Sequence, residues 1–106
     1  MSVLMTLVAR GDAAELERWA AADPAAIAAI SARAKEHGLI AHRFYGSEDG
    51  RIMVVDEWPD SESFQRFFGE MQSEIEPMMQ AVGVTAEPEI TFWRKLDTHD
   101  DVGWEA

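Results

Sequence analysis

Residues 39–58 read Leu-Ile-Ala-His-Arg-Phe-Tyr-Gly-Ser-Glu-Asp-Gly-Arg-Ile-Met-Val-Val-Asp-Glu-Trp. Leu39–Tyr45 and Arg51–Trp58 are rich in β-formers. Between them Gly46-Ser47-Glu48-Asp49-Gly50 is a turn-forming stretch, so the segment reads as a hairpin. Successive strand residues point to opposite faces. Met53 and Val55 therefore lie on one side of the second strand of the hairpin, and Ile52, Val54 and Trp58 on the other. A sheet built on such strands has two apolar faces to cover.

Working outward, Val3–Ala9 is a short apolar run ended by Arg10-Gly11-Asp12 and reads as a strand. Asp12 and Glu15 have the spacing of a capping box, and Ala13, Ala14, Leu16, Trp19 and Ala20 continue at helical spacing. Asp23-Pro24 kinks or restarts this helix, because Asp suits a cap and Pro the first helical position. Ile27, Ile30 and Ala34 then form one stripe, closed by His37-Gly38. Downstream of the hairpin, Pro59-Asp60-Ser61 starts a helix with Phe64, Phe67, Phe68 and Met71 on its apolar side. Gly69 and Pro77 are expected to interrupt it before about Ala81. Gly83 and Pro88 bracket a loop, and Ile90–Leu96 is the fourth strand. The order is βαββαβ, an α+β ferredoxin-like sandwich with a four-stranded antiparallel sheet and helices on one face. Leaving the other apolar face in water, at about 25 cal/mol per Å², would cost an amount comparable to the stability of a small domain. A homodimer removes that cost, because two identical sheets can close into a dimeric α/β barrel with twofold symmetry.

The 106 residues, 47% hydrophobic, suit one domain over 1–96 followed by an acidic tail over 97–106. There is no Cys, which excludes disulfides and thiolate chemistry and makes a reducing, cytoplasmic location the default. The formal charge is −11, and no basic cluster is present, so neither nucleic acid nor an anionic membrane is an expected partner. The apolar residues 2–9 are too short to span a bilayer. Residues 56–106 hold thirteen acids and three bases, an excess read as solvated helix faces and tail. No phosphate loop, zinc signature or nucleophile elbow appears.

The segment Gly38–Phe68 resembles the antibiotic biosynthesis monooxygenase-like proteins of the dimeric α/β barrel superfamily. The likeness rests on a Gly-led second strand (Gly38), a third strand ending in acid-x-Trp (Asp56, Trp58), and an apolar residue six positions beyond the Trp (Phe64). It implies a dimeric barrel and an activity drawn from cofactor-free oxygenation of polyketide-derived phenols, haem degradation, lactone isomerisation or quinol oxygenation. Fold does not fix which. Where many members carry a His about nine residues beyond that Trp, this chain has Phe67, and it contains no Asn. Neither haem nor flavin is therefore expected, and no cofactor is implied.

His42 shares a parity with Ile40 and Phe44, so it either faces a cavity or sits in the sheet core. It is a candidate proton carrier. Asp56 and Trp58 face the same way and set an acid beside an indole, which suits an acid or base role. Alternatively, Asp56 pairs with Arg43 or Arg94 across the sheet. Tyr45, Trp58 and Trp93 are candidate substrate walls, although strand aromatics also fill cores. His37 reads as a helix C-terminal residue favoured by the dipole. His99 with Asp97, Asp100 and Asp101 has the composition of a hard-metal cluster but lies on a polar tail, and no metal is expected. Trp104 is expected to pack against the body or a partner subunit. The readings that follow are a cofactor-independent monooxygenase acting on an aromatic or polyketide-like molecule, a non-catalytic binding protein of the same fold, and a structural or interaction dimer.

Overall fold

Met5, Leu7 and Ala9 are buried, while the alternating Leu4, Thr6 and Val8 are not, so the first strand has an inside and an outside. The computed structural model describes residues 1–103; Trp104, whose packing the sequence predicts, lies outside them. The elements run β1 (Val3–Arg10), α1 (Ala13–Ala22), α2 (Pro24–Glu36), β2 (Ala41–Gly46), β3 (Arg51–Trp58), α3 (Ser61–Ala81) and β4 (Glu89–Trp93). The four strands form one antiparallel sheet in the order β2-β3-β1-β4. This is the ferredoxin-like α+β arrangement expected from the element order.

Asp23 serves both halves of the first helical unit. Its N–H donates to the Trp19 carbonyl at 3.1 Å, ending α1, while its carboxylate accepts from the Ala26 N–H at 3.2 Å, starting α2 with Pro24 at the first position. The expected interruptions of α3 do not occur, and it is a single 21-residue helix. Gly69 faces open space and is tolerated at a cost of about 1 kcal/mol. Pro77 is exposed near the C-terminal end, and Phe64, Phe67 and Ile75 bury the helix on both sides of Gly69. β4 stops at Trp93 rather than Leu96, because Leu4↔Trp93 is already near the end of β1 and later residues have no strand left to pair with. β2 begins at Ala41, although the Ile40 N–H still donates to the Glu57 carbonyl at 2.9 Å.

Asp60 caps α3, accepting from the Ser63 N–H at 2.7 Å and from its hydroxyl at 2.8 Å. The backbone bond first, and the hydroxyl second, hold this carboxyl below its ordinary value. A carboxyl depressed on folding stabilises the fold above its unfolded value, and that contribution is lost as pH falls through the folded value. Asp60→Ala should therefore lower the Tm at neutral pH. The gap to the parent protein should shrink in acid, as thermal melts between pH 7 and pH 2 will show.

The helices cover one sheet face and enclose the main core of Met5, Leu7, Ala34, Trp58, Phe64, Phe67 and Ile75. A second cluster of Ala9, Leu16, Ile52, Val82 and Val84 fills the other end. The opposite face presents Leu4, Tyr45 and Trp93, all exposed, with half-buried Val8, Met53 and Val55 among them.

Candidate functional site

The even-numbered residues of β3 face the helices, so Asp56 and Trp58 share a side with Ile52 and Val54. β2 pairs with β3 in a register centred on Asp49, which sets His42 opposite Asp56. On the other flank, Met5 of β1 lies opposite the same residue. Asp56 is thus a carboxylate in the middle of a sheet, only 5% exposed.

Burial of a charge is costly unless its oxygens are partnered. Both are: His42 Nδ1 lies 2.6 Å from Oδ1, and the Trp58 indole Nε1–H donates to Oδ2 at 3.1 Å. A carboxylate in its ionised form accepts only, and with that form at Asp56 the bond places the His42 proton on Nδ1. In the neutral ring, Nε2 then carries the lone pair, and it has no hydrogen-bond partner among the described residues. The His42 side chain is 29% exposed against 6% for that of Asp56, so the imidazole is the accessible end of the pair. Its ring meets Phe44 edge-on, with centroids 4.9 Å apart.

The pair borders an apolar cavity of about 100 Å³ between the sheet and the helices. Ile27, Ile30 and Ser31 of α2, Phe64, Phe68, Met78 and Met79 of α3, and Met5 and Leu7 of β1 contribute to its wall. His42 and Asp56 are its titratable lining residues, and Ser31 supplies the hydroxyl. A larger groove of about 600 Å³ between α3 and the Val84–Ile90 segment contains none of the candidate residues.

His42 and Asp56 are brought together, and Asp56 does not pair with Arg43 or Arg94. Its two oxygens are taken by His42 and Trp58, while Arg43 lies on the opposite face of β2, donating to the Tyr45 hydroxyl at 3.2 Å. The three aromatic residues expected as substrate walls do not line the cavity. Tyr45 and Trp93 have the other parity and lie on the outer face, 43% and 52% exposed, where the Trp93 indole donates to Thr6 Oγ1 at 2.9 Å. Trp58 is wholly buried, packed against Phe64 and Phe67 with centroids 5.8 and 5.5 Å away. The lining from α2 and the C-terminal half of α3 has no signal in the sequence, because local pattern does not set one helix against another. The hairpin register was the available signal for the His42–Asp56 pair.

His37 is the C-cap of α2, and its ring Nε2 meets the Glu70 carboxylate of α3. Arg33 bonds the same carboxylate and Glu36. Arg33 first, and His37 second, hold the Glu70 carboxyl below its ordinary value. In the tail, His99 Nε2 lies 3.2 Å from Asp97. Among the described residues no group of three His, Asp or Glu is placed to hold a metal ion, and no helix is long and apolar enough to cross a membrane.

No family model matches the chain, and no curated protein matches it. Solved structures do match. A monooxygenase from Streptomyces coelicolor in complex with nanaomycin D superposes with a TM-score of 0.68 at 14% identity, over 92% of this chain and 89% of that one. SnoaB, a cofactor-independent oxygenase from Streptomyces nogalater, gives 0.63 at 16% identity, over 94% and 98%. A dimeric ferredoxin-like protein from an uncultured marine organism gives 0.63 at 17% identity, over 95% and 93%. Over nearly its whole length, this chain has the ferredoxin-like fold found in antibiotic biosynthesis monooxygenases and in dimeric ferredoxin-like proteins.

Proposed function

We propose that the chain is a cofactor-independent monooxygenase acting on an aromatic or polyketide-like small molecule, with His42 as the proton acceptor and Asp56 as its anchor. The observation that carries this reading is the accessible imidazole, fixed by a buried carboxylate at the border of an apolar cavity. Nε2 takes a proton from an acidic phenol or benzylic carbon, and the resulting delocalised anion reduces dioxygen directly. At a ring CH₂, one oxygen atom enters as the carbonyl and the other leaves as water, so no outside reductant is required. Support comes from fold neighbours that include a cofactor-independent oxygenase and a monooxygenase holding nanaomycin D.

The cavity is smaller than the roughly 300–1,000 Å³ of typical ligand sites, so a polycyclic substrate requires its wall to move. Met5, Met78 and Met79 are suited to that, being unbranched and adaptable. Oxygen uptake by the purified protein, with naphthols and anthrone-type substrates and without added metal or nicotinamide, is the direct test. Turnover supports the reading, and absence of uptake across the panel overturns it. The small volume favours a second reading, a non-catalytic binding protein, which predicts saturable binding without uptake.

The same proposal makes the protein a homodimer through the outer sheet face that carries Leu4, Tyr45 and Trp93. Sedimentation equilibrium at micromolar concentration should return about twice the 11.9 kDa chain mass. A monomer would leave that apolar face without a cover and sink the barrel.

A further inference from the structure

The geometry points to Trp58 as a positioning residue that fixes the tautomer of His42 through Asp56, not as a surface that touches substrate. This deepens the catalytic reading of the same site and rests on it for its functional meaning, although the hydrogen-bond relay itself does not.

Three observations meet at Trp58. Its side chain is wholly buried and absent from the cavity wall, so it has no surface to offer a ligand there. Its one polar atom is spent on Asp56 Oδ2 at 3.1 Å, while Oδ1 of the same carboxylate meets His42 Nδ1 at 2.6 Å. Finally, the indole cannot swing away, being wedged between Phe64 and Phe67 of α3 and placed by strand parity two residues from Asp56.

A carboxylate held by one hydrogen bond can rotate about its terminal torsion, which is broad and roughly twofold. Held at both oxygens, it cannot turn without leaving a buried acceptor unpaired. The indole N–H donates only, so Oδ2 is held as an acceptor, which favours the ionised carboxylate in an accepting role toward His42 at Oδ1. That role selects Nδ1–H on His42 and leaves Nε2 as the basic nitrogen. The groups facing this relay are few: on the helix side, Phe64, Phe67 and Phe68 of α3 and Ile30, Ser31 and Ala34 of α2 line the cavity, and none of them titrates.

Ring-nitrogen NMR of the ¹⁵N-labelled protein tests the relay without substrate. In the parent protein at neutral pH, His42 should show one tautomer, with Nδ1 protonated. The Trp58 indole N–H signal should shift with the same midpoint as the His42 ring signals as pH is lowered. An Nε2–H tautomer, or an indole signal that ignores the titration of His42, overturns the inference. Trp58→Phe keeps an aromatic ring but removes the donor, and His42 should then become a mixture of tautomers. Retention of the single Nδ1–H form in a folded Trp58→Phe protein also overturns it. If that variant does not fold, the titration of the parent protein decides alone. Because no readout requires turnover, the relay stands or falls independently of the oxygen-uptake test.

Discussion

Trp58→Ala should unfold a large fraction of the protein's stability margin. The residue is one of two large side chains with no residual exposure, and it sits at the junction of β3, Phe64 and Phe67. Truncating a buried aromatic to Ala costs about 3–5 kcal/mol through lost transfer free energy and the cavity left behind. A further ~1–3 kcal/mol follows from stripping the donor from a buried carboxylate oxygen. Small domains are stable by about 5–15 kcal/mol, so a loss of about 4–8 kcal/mol removes from roughly a quarter of the margin to all of it. At ~4–8 °C per kcal/mol for a domain of this size, the Tm should fall by more than 15 °C. Urea unfolding followed by circular dichroism measures it, and a loss under 1 kcal/mol would mean that the core closes over the gap. Trp58→Phe should cost less, since the packing survives and only the hydrogen bond is lost. The comparison separates the apolar from the polar contribution of one side chain.

His42→Ala should reduce turnover by about 10²–10⁴-fold, the usual contribution of a positioned general base. The fold should survive, because His42 lies on an edge strand with its side chain 29% exposed, but stability should fall by about 1–3 kcal/mol, because Asp56 Oδ1 loses its buried partner. Asp56→Asn should reduce turnover as well, for a different reason. An amide in place of the carboxylate can present its NH₂ to Nδ1, which puts the proton on Nε2 and removes the base. The measurement is oxygen uptake alongside ligand binding by fluorescence. Lost turnover with retained binding supports the proton-transfer reading. Equal activity in His42→Ala and the parent protein would exclude His42 as the base, whatever the protein's reaction.

The parts of this architecture that depend on local pattern were legible in the sequence. Strand parity put Met53 and Val55 opposite Ile52, Val54 and Trp58, and capping at Asp12, Asp23 and Asp60 marked three helix starts. Errors arose where tertiary contact overrides local preference. Gly69 and Pro77 read as breaks, yet the buried stripe of α3 carries the helix through both. The site divides in the same way. Residue type and parity single out His42 and Asp56 separately, and only the hairpin register makes them a pair. Residue type groups Tyr45 and Trp93 with them, but one residue of parity puts them on the other side of the sheet. Trp58 has the right parity and still does not line the cavity, because it packs against Phe64 and Phe67 of α3, a strand–helix contact that a linear pattern does not show.

The strand order β2-β3-β1-β4 also dictates a schedule for synthesis. The strand made first occupies an interior place and pairs with the third and the last. β2 and β3 share a short loop and can close as a hairpin within microseconds of emerging. β1 must wait more than forty residues for β3 and some eighty for β4. At about 5–20 residues per second, that is several seconds during which an apolar strand has at least one unpaired edge on a growing chain. Arg10 and Arg51, opposite each other where β1 meets β3, put like charges at one end of that ladder. The vulnerable period of this protein is therefore its own translation, and slower elongation lengthens the exposure of β1 in direct proportion.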